Sequence, residues 1–202
     1  VDPVGGTERS CGRAPVLAYE ICRRFLLHLV FPFLKLRQVC PRNVEAVAWV
    51  TGACFVARRA ALADIGGMDE TFFMYYEDVD LGLRFGRRGW GVYYLPEAEG
   101  RHAGAASSRK ALERMLITSE AGYQYLVEKH LGGNAVLLLR VLAPVEMGLR
   151  IPVWCAAWLL CPGRRREARA RLKAYWRMLR YGVRDLAQSS PPGGWKVSEG
   201  AR

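Results

Sequence analysis

The chain has 202 residues, of which 51% are hydrophobic and 24% are charged, and this balance excludes a disordered protein. Its formal net charge of +11 favours an anionic partner, such as lipid head groups, nucleotide phosphates or nucleic acid. The six cysteines form no CxxC pair and no zinc-like spacing, so reduced and mostly buried thiols are expected.

Residues 1–43 predict a loop followed by an amphipathic helix. Glycine and proline are frequent in residues 1–15, which predicts a loop or a cut edge, and the start at Val1 without a signal-peptide pattern indicates a piece of a longer protein. Residues 25–34 are uncharged but only about half as long as a membrane span. A helix at a membrane interface and a helix packed on the protein's own core both remain open.

Residues 44–108 are the centre of the sequence. The apolar run 48–59 predicts a strand, and the residues after it predict a short helix that ends at Gly66 and Gly67. Residues 77–88 predict a second helix, because apolar side chains recur four positions apart and a glycine follows. Residues 89–96 alternate and predict another strand.

Three carboxylates, Glu77, Asp78 and Asp80, lie in the first turn of that second helix. Unpaired amide groups and the helix dipole favour negative charge there, so capping alone would explain them. The flanking residues are aromatic and apolar, however, and this favours acids held in a defined place over a solvated charge run. Adjacent like charges raise the pKa of one carboxyl, which suits a general base.

The order of these features resembles the C-terminal half of the catalytic domain of family-2 inverting glycosyltransferases, in the rhamnosyltransferase-like branch that builds bacterial polysaccharides. The resemblance implies an α/β fold: a partial GT-A-like domain without its N-terminal nucleotide-binding half, followed by a helical, membrane-associated C-terminal region. The matching residues are Gly52, Ala53, Arg58, Arg59, Gly66, Gly67, Met68, Asp69, Glu70, Phe72, Phe73, Met74, Tyr75, Glu77, Asp78, Val79, Asp80, Leu81, Arg84, Gly89, Trp90, Pro96 and His102.

The resemblance also implies a reaction. A sugar such as rhamnose would move from a nucleotide-sugar to a lipid-linked or polysaccharide acceptor in cell-envelope glycan synthesis. Asp78 matches the general base that takes the proton of the acceptor hydroxyl, and the neighbouring Glu77 is the second candidate for that role. His102 matches a ligand of the divalent cation that neutralises the leaving diphosphate, and an imidazole ligand favours Mn²⁺ over Mg²⁺.

The remaining matches imply binding roles. Trp49, Gly52 and Ala53 are expected on the acceptor side, and Arg58 or Arg59 is expected to contact phosphate, although an exposed arginine pair would also explain them. No residues before Trp49 supply the family's nucleotide-binding half or its Asp-x-Asp metal motif, so the chain alone is expected to be inactive. A non-catalytic, basic membrane-surface protein that retains a transferase remnant remains the alternative.

Residues 109–187 predict helices at a membrane surface. Residues 109–130 predict a helix closed by Gly132 and Gly133. Residues 134–161 are the most hydrophobic, Pro144 and Pro152 are expected to kink a helix there, and the tryptophans within residues 151–163 favour an interfacial position.

Arginine and aromatic residues alternate at helical spacing in residues 164–184, which predicts a cationic amphipathic helix on an anionic membrane. No nucleic-acid fold signature accompanies this charge, so nucleic acid is disfavoured as the partner. Residues 188–202 are expected to be a disordered tail. The expected location is peripheral, at the cytoplasmic face of the cell membrane.

Overall fold

The computed structural model describes residues 10–25, 38–39, 41–100 and 112–183. The chain divides into two compact units, one formed by Val1–Glu70 with Tyr76–Ala105 and the other by Thr71–Tyr75 with Ala106–Arg202. No helix within the described residues is long and apolar enough to cross a membrane. The predictions for His102, for residues 26–37 and for the tail 188–202 lie outside the described residues.

The first unit contains short strands in two antiparallel sheets. These strands are β1 (Cys11–Gly12), β2 (Gln38–Val39), β3 (Glu45–Ala46), β4 (Trp49–Val50) and β5 (Tyr93–Tyr94). One sheet has the order β2-β1-β4, with Cys11 opposite both Val39 and Val50, and the other pairs β3 with β5. Further backbone hydrogen bonds continue this pairing, from the amide of Thr51 to the carbonyl of Ser10 and from that of Val47 to the carbonyl of Val92.

Three sequence predictions for this unit need correction. Residues 10–15 are not only a loop, because Cys11 is fully buried and pairs on both sides. The apolar runs 48–59 and 89–96 form strands only at Trp49–Val50 and Tyr93–Tyr94. Other apolar residues of these runs lie outside the strands. Ala57 and Val92 pack on the core, and Phe55 lines a cavity.

The helices of the first unit are α1 (Leu17–Arg24), α2 (Arg59–Asp64) and α3 (Glu77–Arg87). Helix α2 is followed by Gly66 and Gly67, whose φ angles of +75° and +76° glycine adopts without steric cost. The predicted short helix, its glycine ending and the acidic helix are therefore confirmed. Ala61 of α2 packs against Leu81 and Phe85 of α3 to form the core of the unit.

Helix α3 lies directly on strand β4 at Gly82. A Cβ atom at Gly82 would lie 2.8 Å from Cα of Trp49 and closer still to the carbonyl oxygen of Ala48, whereas one at Gly86 would meet nothing within 4 Å. The missing side chain at Gly82 lets the acidic helix approach the strand backbone. This contact places the start of α3 next to the residues that follow β4.

The second unit is built from three helices, α4 (Leu112–Leu131), α5 (Gly133–Leu160) and α6 (Arg165–Tyr181), with a 3₁₀ turn at Pro162–Arg164 before α6. Gly132 separates α4 from α5 with a φ of +91°, so the predicted end of the first of these helices is confirmed. The buried core contains Ile117, Ala143, Met147, Ala174, Tyr175, Met178 and Val183. Glu113 of α4 accepts a hydrogen bond from Arg177 of α6 at 2.8 Å and lies 3.0 Å from Nζ of Lys173.

The segment Thr71–Tyr75 packs within this helical unit. Phe72 is 8% exposed, and its ring meets that of Tyr125 edge-on with the centroids 4.8 Å apart. The ammonium group of Lys129 lies 5.7 Å from the centre of the Phe72 ring, a favourable cation–π distance. The aromatic run before the acidic helix is therefore partly a core element, while the neighbouring Phe73 is exposed.

Helix α5 continues through Pro144 and Pro152, so neither proline ends it. Helix α6 is basic and amphipathic as predicted, but its apolar residues Ala174, Tyr175 and Met178 are buried within the unit. The described cysteines carry reduced thiols, as expected. Most of them are exposed, however, so the expectation of mostly buried thiols is wrong; the exposed ones are Cys54, Cys155 and Cys161.

Candidate active site

Helix α3 begins in an unusual way. Tyr75 and Tyr76 before it have φ angles of +69° and +72°, in the left-handed region that residues with a side chain rarely adopt. Tyr76 makes no side-chain capping bond. Instead, the amide of Val79 donates to Oδ1 of Asp78 at 2.8 Å, so a carboxylate of the first turn satisfies one of the free amides.

The other oxygen of Asp78 is held by the chain that follows β4. The amide of Gly52 donates to Oδ2 of Asp78 at 3.0 Å. Two residues that the sequence assigned to one site are thus in direct contact, although 26 positions separate them. Each carboxylate oxygen keeps a second lone pair, so Asp78 is fixed in place and can still accept a proton.

Asp78 faces a cavity of about 380 Å³, a size typical of small-molecule sites. Apolar side chains supply most of its wall, and Arg58, an exposed residue, also lines it. The lining residues are Val50, Phe55, Val56, Ala57, Arg58, Ala61, Asp78, Leu81, Gly82, Phe85, Trp90, Gly91, Val92, Tyr93 and Leu95. Sequence reasoning missed Phe55, Tyr93 and Leu95, whose only signal is an apolar or aromatic side chain within a run predicted as a strand.

Glu77 occupies a different environment. Burial raises the pKa of Glu77, a hydrogen bond from its own amide lowers it, and the charge of Asp78 raises it further. Its Oε2 is buried without a hydrogen-bond partner. Glu77 is not among the residues that line the cavity. The pKa increase expected for one of the two acids therefore falls on Glu77, whereas Asp78 is the acid that faces the cavity.

Asp80 and Arg84 hold the helix to the turn before it. Asp80 is fully buried, and Nε of Arg84 donates to its Oδ2 at 2.7 Å. Nη1 of Arg84 donates to the carbonyls of Ile65 and Gly67 at 2.9 and 2.7 Å. Sequence reasoning noted both residues but not this role for Arg84; the acid–base spacing of four along a helix was the available signal.

The other predicted site residues are placed as follows. Trp49 is 6% exposed, donates from its indole nitrogen to the carbonyl of Arg13 at 3.2 Å, and does not line the cavity. Ala53 is exposed beyond β4, and Arg59 is exposed at the start of α2. His102 lies outside the described residues, so the structure does not bear on its predicted role.

The described donor groups do not by themselves fit a metal ion. Across the described ranges no three His, Cys, Asp or Glu residues lie close enough together to bind one. Both oxygens of Asp78 already accept amide hydrogen bonds. A divalent cation at this site would therefore need ligands outside the described residues, where the predicted ligand His102 lies.

Comparison with known proteins gives consistent matches. Residues 29–117 match the family described as "Glycosyltransferase like family 2". Over 87 residues the chain is 41% identical to an N-acetylglucosaminyl-diphospho-decaprenol L-rhamnosyltransferase of Mycobacterium tuberculosis, covering 43% of this chain and 28% of that protein. Over 89 residues it is 27% identical to Rhamnosyltransferase WbbL of Escherichia coli, covering 44% and 34%. The chain thus spans about a third or less of these relatives, and no solved structure matches.

Proposed function

We propose that this chain supplies the general base of an inverting glycosyltransferase. The premise is that the chain belongs to glycosyltransferase-like family 2 through residues 29–117. The donor is proposed to be a nucleotide-sugar, with rhamnose as the first sugar to test, and the acceptor a lipid-linked glycan. The names of the relatives support both choices, since one is an L-rhamnosyltransferase named for a diphospho-decaprenol-linked N-acetylglucosaminyl group.

One observation carries this proposal. The Asp78 carboxylate is fixed by two backbone amides and faces a cavity large enough for part of a sugar. A base that is held before the substrate arrives needs no reorganisation during the reaction. Glu77 is adjacent in sequence but does not line the cavity, so the geometry favours Asp78 over Glu77 as the base.

The proposed reaction is a single displacement. The acceptor hydroxyl oxygen forms a bond to the anomeric carbon of the donor while the bond to the nucleotide diphosphate breaks, and the hydroxyl proton passes to an Asp78 oxygen. Arg58, exposed at the same cavity, can meet the negative charge of the diphosphate. Trp49, buried under α3, is proposed to support the acceptor side by packing instead of by direct contact.

The proposed location is peripheral, at the cytoplasmic face of the cell membrane. A lipid-linked acceptor would lie at that surface. The net charge of +11 and the exposed arginines at the start of α6, Arg165 and Arg166, support attraction to anionic lipids.

The test uses a protein that contains this chain together with a nucleotide-binding half, because the chain alone is expected to be inactive. It measures transfer of labelled sugar from dTDP-rhamnose, or from a panel of nucleotide-sugars, to an isoprenoid-diphosphate-linked N-acetylglucosamine. Asp78→Asn is expected to lower turnover by about 100-fold or more and to leave donor binding nearly intact. Asp64→Asn is the control, because Asp64 lies outside the cavity and the new amide oxygen can still accept the hydrogen bond of Trp90. Turnover retained in Asp78→Asn would contradict the assignment of the base.

A further inference from the structure

Helix α5 has an exposed surface that is apolar along most of its length. Leu137, Val141, Val145, Leu149 and Val153 recur every four residues and are 49–64% exposed. From Leu137 to Leu160, every exposed residue of α5 is apolar or glycine. This stretch of helix is about 36 Å long at 1.5 Å per residue. A surface helix of a water-soluble unit normally shows the opposite pattern, with polar residues facing outward.

The charged residues of α5 lie away from this apolar face and are already paired. Arg150 and Glu146 form an ion pair at 3.0 Å, and both are largely buried. Arg140 donates to Gln124 of α4 at 3.3 Å and lies 3.8 Å from Glu128. The core of the unit uses a different set of α5 residues, including Ala143 and Met147. The apolar face is therefore an additional surface that the packing of the three helices leaves uncovered.

Exposed arginines border the C-terminal end of the apolar face. Leu159 and Leu160 are 61% and 79% exposed, and the exposed arginines Arg164, Arg165 and Arg166 follow one turn later. Nε of Arg165 donates to the carbonyl of Trp158 at 3.1 Å, so this guanidinium group lies against the end of α5. Apolar side chains bordered by arginines are what a helix at the surface of an anionic bilayer requires.

We infer that the exposed face of α5 is the membrane-contacting surface of this protein and that it lies along an anionic lipid surface. This inference rests on the proposed peripheral location and specifies it. Helix α6 contributes charge; three of its apolar residues, Ala174, Tyr175 and Met178, stay in the core of the unit, whereas Trp176 is 62% exposed. A second copy is a less suitable occupant of this face, because it would add like charge to a chain of net charge +11, whereas anionic lipids neutralise that charge.

The test is co-sedimentation of the full chain with vesicles of phosphatidylcholine, with and without phosphatidylglycerol. The double variant Val145→Asp/Val153→Asp is expected to weaken binding to the phosphatidylglycerol vesicles by about tenfold or more. The matched control is Val16→Asp/Val44→Asp, which makes the same change at two valines of similar exposure in the first unit and is expected to bind like the unmodified chain. Far-ultraviolet circular dichroism and thermal unfolding of both variants establish that each has folded.

Several outcomes would overturn the inference. These are unchanged binding by the folded α5 variant, an equal loss in the control, or equal binding to vesicles with and without phosphatidylglycerol. Self-association in solution that the α5 variant abolishes would assign the face to a second copy and would also overturn it. Asp78→Asn is expected to sediment like the unmodified chain, so a failed transferase assay and a failed membrane assay are distinguishable.

Discussion

Two adjacent carboxylates have opposite surroundings at the start of α3. Asp78 accepts two amide hydrogen bonds and faces a cavity, whereas Glu77 is half-buried and leaves one oxygen without a partner. A buried carboxylate without full hydrogen bonding opposes folding when it is ionised. Glu77 thus costs stability at neutral pH, and a cost of this kind is common beside functional groups.

Glu77→Gln is expected to stabilise the protein at neutral pH. Burial raises the pKa of Glu77 above 4.5, so the folded state binds a proton that the unfolded state has already released, and stability falls as pH rises through that interval. Glutamine has no charge to desolvate. The stability advantage of the variant should therefore be complete above the folded pKa and should disappear below pH 4.5, as measured by urea unfolding across pH.

Glu113→Gln is a control that is expected to change stability at neutral pH in the opposite direction. Burial alone would raise the pKa of Glu113, but the hydrogen bonds from Arg177 and Lys173 outweigh burial and lower it. Its ionised form therefore contributes stability that is present above pH 4.5 and is lost as pH falls through the lowered folded pKa. The variant should be less stable at neutral pH; the same sign of change in both variants would contradict this account.

At the scale of the element, the acidic helix depends on one position without a side chain. Gly82→Ala is expected to destabilise the protein by about 1–3 kcal/mol, because the new methyl group would collide with the backbone of residues 48 and 49. Gly86→Ala is the control in the same helix. It meets nothing within 4 Å and should stabilise by up to about 1 kcal/mol through helix propensity. Chemical denaturation of both variants measures the difference, and equal effects would refute the close contact.

The elements that local chemistry controls could be predicted from the sequence. The bounds of α2 and α3 follow from apolar spacing and from glycines that adopt positive φ. Two of the strands, β4 and β5, lie within runs that the sequence predicts as strands, but the bounds and pairing of the strands could not be predicted. Each strand is two residues long and depends on pairing between distant segments, such as Cys11 with Val50. The contact of Gly52 with Asp78 also depends on distant segments of the chain. The residue types predicted a shared site, but only the fold shows the hydrogen bond between them.

At the scale of the whole molecule, the aromatic segment before α3 belongs to the helical unit. Phe72→Ala is expected to destabilise that unit by about 3 kcal/mol, because it empties a buried position beside Tyr125 and Lys129. Phe73→Ala deletes the same ring from an exposed position and should cost less than about 1 kcal/mol. Hydrogen exchange reports both effects. Faster exchange in α4 for Phe72→Ala, with α2 little changed, is the expected pattern, and unchanged exchange in α4 would contradict it.

The helical unit also shows where sequence patterns mislead at this scale. The alternation of arginine and aromatic residues in 164–184 correctly predicted an amphipathic helix, but several of its apolar positions contact the neighbouring helices. The tryptophans near the end of α5 favoured an interfacial position, but only the packing of α4 and α6 distinguishes the covered side of this helix from its open side. Amphipathicity is visible in a sequence, whereas the partner of each face is a tertiary property.

The left-handed pair Tyr75 and Tyr76 has a consequence for how the acids are oriented. Each such residue costs roughly 1–2 kcal/mol relative to an ordinary backbone, and the surrounding contacts must repay that amount for the bend to persist. If those contacts loosened, the backbone torsions would relax at this bend first. Glu77 and Asp78 are the next two residues, so relaxation of this bend would turn Asp78 away from the cavity that it lines.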